Sequence, residues 1–338
     1  MIEKFIEKMP KVELHVHLEG SVQPGTLLKL AKRHNINLPS DEITGLQKWY
    51  SFRDFNHFIE IYMTISSCLQ SEDDIELITR EFLANQAAQN IYYSEVTFTP
   101  YNQYLNNKLG FHQQMDAVNR AREWGEKTLG VQMGIIMDIP RFISPGEGDR
   151  IANWAVERYG DGIIALGLGG PEVGNPPNKF ESAFTIVRSA GIPCILHAGE
   201  TVGPDSIWNA IKVAETYRIG HGVRAVEDPM LMDYLRDKQI PLEICPSSNI
   251  CLKVYPSFDE HSLPQLLEHG LFITINSDDP PMFNTTLTNE YRIGVKIWGW
   301  DRDMITGFII NAVDASLLSL IEKKKIRLEF ESMFNKMR

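Results

Sequence analysis

Eight short, β-rich apolar runs punctuate the 338 residues, and the stretches between them carry helical patterning. The runs are VELHVHL (12–18), YYSEVTF (92–98), VQMGIIMD (131–138), IIALGLG (163–169), PCILHAG (193–199), RIGHG (218–222), LEICPSS (242–248) and LFITINSDD (271–279). Among the intervening stretches, SEDDIELITREFLANQAAQN sets a cap-forming Ser71 and an acidic first turn before Ile75, Ile78, Phe82 and Leu83. DPMLMDYLRDKQ and NKFESAFTIVRSAG follow the same pattern, the second stopping at Gly191. Strand, helix, strand at this spacing calls for parallel pairing through right-handed crossovers. Eight such units predict an α/β chain folded as a closed (β/α)8 TIM-type barrel. The competing doubly wound sheet would bring a GxGxxG or a P-loop after a strand, and neither is present.

No internal repeat, low-complexity tract or Gly/Ser linker divides the chain, so residues 1–338 are expected to form a single barrel domain. The connection after the first run is long, about residues 20–91, and holds at least three helical patterns, including RDFNHFIEIYMTISSCL. Insertions after the C-terminal end of a barrel strand sit over the site. This one reads as a helical lid, with a packing insertion as the other possibility. The tail, about 286–338, continues as extra C-terminal helices. The net charge of -11 with no basic run lacks the positive footprint that nucleic acid requires. No apolar run approaches ~18 residues, so no membrane span is expected. MIEKFIEKMP has no apolar h-region of a signal peptide. Cys68, Cys194, Cys245 and Cys251 show no CxxC spacing, which suits a reducing, cytoplasmic setting.

Polar residues interrupt the runs at their C-terminal ends, where barrels place their chemistry. His15 and His17 end the first run, His197 the fifth with Glu200 three residues on, His221 the sixth, and Asp278 and Asp279 the eighth. Residues i and i+2 of a strand share a face. His15 and His17 therefore aim at one interior point near the barrel mouth. Two imidazoles there suit zinc, at ~2.0–2.1 Å per nitrogen. His197 offers a third nitrogen and Asp278 an oxygen, which leaves one position open, as in a catalytic site. Binuclear barrel hydrolases usually bridge their ions with a modified lysine ending the fourth strand. IIALGLGGPE has no lysine, so one ion per chain is expected; Glu172, the nearest acid, either binds substrate or caps a loop.

HVHLEGS, HAGE, GHG, CPSSN and INSDDP, in this order, resemble the adenosine/adenine deaminase family of the metal-dependent amidohydrolase superfamily. The resemblance spans about residues 11 to 300. It implies a (β/α)8 barrel, one zinc ion, and replacement of the 6-amino group of a purine by oxygen with release of ammonia. Carried over residue by residue, it makes His15, His17, His197 and Asp278 the metal ligands. Catalysis falls to Glu200, which protonates N1, to His221, which orients the attacking water, and to Asp278, which takes its proton. Asp279 would bond to N7, Gly170 to N3 through its backbone, and Glu19 to the substituent on the purine. The cytidine-type zinc deaminases carry HxE with PCxxC, and both are absent.

The branch within the family is less uniform. Adenosine deaminases usually read HxHLD, and the residue here is Glu19, more typical of the adenine-type branch, as is EVGNPP in the fourth-strand loop. FRDFNHFIEIY, EVTFTPY, GLGGPEVG and INSDDPPMFNTTLTNEY are similar to aminodeoxyfutalosine deaminases. That substrate is an adenine nucleoside whose 5′ end carries a benzoate-bearing ketone. Its carboxylate would want a cation near the lid, for which Arg53 is a candidate; the other reading of Arg53 is a solvated residue capping the acidic start of its helix. The expected substrate is adenosine or a 5′-modified adenosine such as aminodeoxyfutalosine. The alternatives are free adenine and, behind it, another amidohydrolase reaction on the same barrel.

Overall fold

A computed structural model describes residues 2–337. Helix α1 (Ile2–Lys8) leads into β1 (Lys11–His17), followed by α2 (Pro24–Arg33), α3 (Ile43–Tyr50), α4 (Phe55–Ser67), α5 (Glu72–Ala88) and β2 (Ile91–Phe98). Next come α6 (Pro100–Asn107), α7 (Phe111–Leu129), β3 (Gln132–Pro140), α8 (Pro145–Glu157), β4 (Ile163–Gly169), α9 (Glu181–Ser189), β5 (Cys194–Ala198), α10 (Pro204–Ala214) and β6 (Arg218–His221). The remainder is α11 (Pro229–Lys238), β7 (Leu242–Ile244), α12 (Pro246–Cys251), α13 (Leu263–Glu268), β8 (Ile273–Ile275), α14 (Leu287–Trp298), α15 (Arg302–Ala315) and α16 (Leu320–Lys336).

The eight strands pair in parallel in sequence order, and helices surround them, which is the (β/α)8 architecture expected. The seam between β8 and β1 is closed beyond the end of β8, where Asp278 bridges to Val16. The His17 amide donates to the Asp278 carbonyl at 2.9 Å, and the Asp278 amide donates to the His15 carbonyl at 3.1 Å. A residue expected to do chemistry thus also closes the barrel.

Two runs are shorter as strands than their composition suggests. Only Leu242–Ile244 of the seventh run is strand; Pro246, which lacks an N–H, opens α12 instead. Only Ile273–Ile275 of the eighth is strand. The long first connection also divides. Its last helix, α5, packs on α7 and β2 as an ordinary barrel-layer helix, held at its start by a Ser71–Asp74 capping box. Among its other helices, α4 alone reaches the cavity described below. Of the C-terminal helices, α15 packs against β8 and β1 and completes the outer layer.

The barrel interior is polar where such barrels are usually filled with branched aliphatics. Ile136, Ala165 and Ile195 make only a small apolar plug. Beside it Glu13, Glu95, Arg218 and Glu243 are buried. Buried charges persist only when paired. Arg218 Nη2 donates to Glu95 and Arg218 Nε to Glu243, both at 2.5 Å, while Nη1 donates to the Ala315 carbonyl at 2.9 Å. The second oxygen of Glu243 is left for His15.

Candidate active site

Strand period brings His15 and His17 to the same side, with ring centroids 5.6 Å apart. His17 Nε2 lies 3.1 Å from His197 Nε2, and Asp278 Oδ1 lies 3.3 Å from His17 Nε2 and 3.5 Å from His15 Nε2. The outer ring nitrogens of two of these histidines are engaged: His15 Nδ1 with Glu243 Oε2 at 2.8 Å, His197 Nδ1 with the Leu168 carbonyl at 3.1 Å. A proton held on Nδ1 leaves Nε2 as a lone pair turned inward, the arrangement of a metal-binding histidine. His15 Nε2 is buried without a hydrogen-bond partner. Two imidazole nitrogens at 3.1 Å beside a carboxylate, with a third nitrogen orphaned, form a donor set that a divalent cation satisfies. Three nitrogens and one oxygen suit zinc.

Two of the residues sit on left-handed backbone, His221 at φ 62° and Asp278 at φ 65°. Such strain persists only where its surroundings over-determine it. For Asp278 that is the bridge to Val16. For His221 it is a hydrogen-bond chain. The Leu263 amide donates to His261 Nδ1 at 3.0 Å, so the His261 proton is on Nε2, which donates to Asn249 Oδ1 at 3.1 Å. The Asn249 Nδ2 amide then faces His221 Nδ1 at 3.4 Å as donor. The His221 proton is thereby assigned to Nε2, which points toward Glu200 Oε1 at 3.5 Å and Asp278 Oδ2 at 3.8 Å. Burial holds His221 neutral, with its pKa lowered to about 4.

Glu200 is set by Glu172. The Glu172 carboxylate accepts from the amides of Gly199, Glu200 and Thr201 at 3.1, 2.9 and 2.9 Å and from the Ser206 hydroxyl at 2.5 Å. Of the two roles open to Glu172, loop cap is the one this bonding pattern describes. Glu200 Oε1 is buried without a partner, and its carboxyl is pushed well above the usual range by burial, then by Asp278 and Glu172. Asp279 Oδ1 is likewise without a partner, with its carboxyl raised by burial and by Asp278. It packs so closely on Gly20 that a Cβ there would lie 1.6 Å from Oδ1, which explains the glycine after HVHLE.

These groups meet at one end of a cavity of about 420 Å³. His17, His197, Glu200, His221, Asp278, Asp279 and Gly170 line it. Much of the remaining wall is apolar: Phe55, Phe58, Ile59 and Met63 of α4, with Phe142 and Leu252. Among the described residues, no lysine or arginine lines it. His15 lies beneath, fully buried.

Two sequence candidates stand outside the lining. Glu19 is fully buried, and its carboxylate accepts from the Thr99 amide at 3.1 Å, Gln103 Nε2 at 3.2 Å and the Tyr62 hydroxyl at 3.2 Å. Tyr62 and Thr99 line the cavity, and Glu19 stands behind them. The carboxylate of Glu19, expected to contact the substrate, is engaged here by three protein donors, two of them on residues that line the cavity. Arg53 is exposed, and its backbone carbonyl accepts from Lys253 at 3.1 Å. Conversely, Asp138, Tyr62, Asn249 and Glu243 escaped the sequence reading. Asp138 could have been found, since it ends the third run as Asp278 nearly ends the eighth. The others depend on contacts that no local spacing signals.

The adenosine deaminase family model matches residues 10–332. An aminodeoxyfutalosine deaminase of Streptomyces avermitilis is 35% identical over 336 residues, covering 98% of this chain and 93% of its own. An adenine deaminase of Pseudomonas putida is 35% identical over 315 residues, covering 93% of this chain and 99% of its own. The crystal structure of an adenine deaminase from Arthrobacter aurescens superposes with a TM-score of 0.92 at 30% identity, covering 97% of this chain and 99% of that one. A zinc-bound amidohydrolase from Burkholderia ambifaria also gives 0.92, at 23% identity, covering 99% of this chain and 93% of that one; it speaks to the fold alone.

Proposed function

Because the chain belongs to the adenosine deaminase family, we propose that it is a zinc-dependent hydrolytic deaminase of an adenine nucleoside, converting the 6-amino group to 6-oxo and releasing ammonia. The observation that carries this reading is the convergence of three inward-facing histidine nitrogens and Asp278 at the end of a cavity that Glu200 also lines. His15, His17, His197 and Asp278 would hold one zinc ion. When bound, zinc supplies Lewis-acid activation of water at neutral pH.

The rest falls to the chain's own side chains. Glu200, whose buried carboxyl is pushed above the usual range, donates to N1 of the purine and makes C6 electrophilic. His221 donates through Nε2 to the oxygen that adds at C6. Asp278 takes one proton of the attacking water and passes it to the departing amino group, and as the C6 oxygen becomes a carbonyl its second proton returns to Glu200, so that water enters, ammonia leaves and both carboxyl groups are restored. Asp279 and the Gly170 backbone hold the N7 and N3 edges. Helix α4 lines the cavity with Phe55, Phe58, Ile59, Tyr62 and Met63 and would pack on the bound nucleoside.

Free adenine is the second reading, since relatives named adenine deaminase are as similar as those named for aminodeoxyfutalosine. The cavity volume favours the nucleoside. Pockets of ~300–1,000 Å³ accommodate drug-sized ligands, and a bare purine leaves much of this one unfilled. The lining adds a further preference. With no lysine or arginine on the wall among the described residues, a neutral, apolar 5′ group is better matched than a carboxylate. The four unpaired cysteines suit a reducing, cytoplasmic setting.

The test is ammonia release by zinc-loaded protein from adenine, adenosine, 5′-alkylthio- and 5′-aryl-adenosines and aminodeoxyfutalosine, compared as kcat/KM. Turnover of adenosine and its neutral 5′ derivatives above adenine is expected. Turnover of adenine alone would replace the nucleoside by the free base, and no ammonia from any of them would remove the proposal.

A further inference from the structure

Asp138 brings to the cavity wall a carboxyl group that the proposed chemistry does not use. It lies on β3, is 4% exposed, and lines the cavity. Its Oδ1 is buried without a hydrogen-bond partner. A buried unpartnered carboxyl is costly unless something else satisfies it. The nearby Arg141 gives it no hydrogen bond: Nη1 and Nη2 donate to the Asn175 and His197 carbonyls, and Nε is itself without a partner. The position of the carboxyl is also built. Asp138 pairs in register with Gly167 of β4, and a Cβ on Gly167 would approach Oδ1 to 2.7 Å. A Cβ on Gly169 would approach Oδ2 to 2.5 Å. Glycine inside a strand weakens it and marks a close approach. The alternation GLG in β4 therefore makes room for this carboxyl.

We propose that Asp138 is a substrate-binding residue that hydrogen-bonds a hydroxyl of the sugar on N9 of the purine. The placement follows from the strands. The groups assigned to C6, N1 and N7 come from β1, from β5 and β6 and the turns after them, and from the segment that follows β8. A ring held by them at its C6 edge turns N3, N9 and the sugar toward β2, β3 and β4. Asp138 is on β3, between Thr99 after β2 and Gly169 and Gly170 at the end of β4, all of which line the cavity. Burial raises the Asp138 carboxyl well above the usual range. A neutral carboxyl both donates to and accepts from an alcohol.

This inference rests on the nucleoside reading, and the experiment separates the two. Zinc-loaded wild type, D138A and D138N are compared on adenosine, 2′-deoxyadenosine, 3′-deoxyadenosine and adenine, with zinc content and circular dichroism recorded. Wild type is expected to prefer adenosine over one of the two deoxy analogues by about tenfold or more. D138A should abolish that preference through KM, with zinc content unchanged. D138N, which keeps a donor and an acceptor in the same place, should restore most of it. Three results overturn the assignment: a wild type that treats both deoxy analogues as adenosine, a D138A that retains the preference, or a D138A that loses adenosine and adenine in equal measure. A wild type without the preference overturns the assignment even where D138A fails to fold, and D138N then reads the role of the residue. Absence of ammonia from all four substrates with the wild type would instead count against the nucleoside reading itself.

Discussion

Asn249 holds His221 in a single tautomer: its amide donates to His221 Nδ1 at 3.4 Å, and its carbonyl is occupied by His261 at 3.1 Å. The anchor is a backbone amide, that of Leu263, which carries no alternative protonation state. N249D replaces the donor by an acceptor, draws the His221 proton to Nδ1 and removes the Nε2 donor from the cavity. A fall in kcat of about 10²- to 10³-fold is expected, with KM and zinc content little changed, since a misplaced imidazole proton is costly elsewhere too. Steady-state kinetics at matched zinc loading check it. An unaltered kcat would remove the donor role of His221.

Glu172 and Glu200 should separate by what they change. E200Q keeps zinc and substrate binding but loses about 10²- to 10⁴-fold in kcat, the span of general acid catalysis. E172A leaves three amides and a hydroxyl unanswered. It should cost roughly 1–3 kcal/mol in stability, visible as a lower Tm, together with a smaller fall in kcat. If E172A is as stable as the parent, the loop does not depend on this cap.

Removal of the metal should abolish turnover without unfolding the chain, because the large apolar core between barrel and helices contains none of the proposed ligands. Chelated protein is expected to keep its circular dichroism, to lose a few degrees of Tm through lost ligand linkage, and to regain activity with zinc. H17A should weaken zinc affinity roughly a hundredfold or more, measured by competition with a chromogenic chelator. Stoichiometric, tight zinc in H17A would take His17 out of the ligand set.

Glu290 predicts a pH dependence of stability away from the catalytic groups. It is fully buried, accepts from the Ser247 amide at 3.1 Å and from the Thr285 hydroxyl, and burial raises its pKa from 4.5 to about 7. The folded state therefore holds a proton that the unfolded chain has released between these values. Stability from this group is fully present below about pH 4.5 and is lost as pH rises through about 7, a total of about 3 kcal/mol. In E290Q that loss is absent. Urea unfolding at pH 5 and pH 8 should show E290Q gaining on the wild type by about 2.5 kcal/mol at the higher pH, the rest having been lost below pH 5. A constant difference between the two proteins would show that Glu290 is ionised throughout.

The alternation of apolar runs and helical stretches carried the barrel, because strand and helix periods are local properties of the chain. It overran at Pro246, where a missing amide turns an apolar run into a helix, and it read α5 as insertion although that helix belongs to the barrel layer. The period of two placed His15 and His17 on one face, and the barrel rule placed His197, Glu200, His221, Asp278 and Asp279 at one end. Those expectations needed only the knowledge of where a strand ends.

What the sequence determined by itself was therefore which residues face inward and at which end of the barrel. Only the tertiary structure decided what each of them touches. Glu243 reaches His15 across 228 residues, Asn249 reaches His221 across 28, and Glu19 turns away from the cavity onto Thr99, Gln103 and Tyr62. The physical reason is that a strand's period fixes direction, whereas hydrogen-bond partners are chosen by the register between strands and by loop paths. Register and loop path exist only once the barrel has closed, and here the closing residue, Asp278, is itself part of the candidate site.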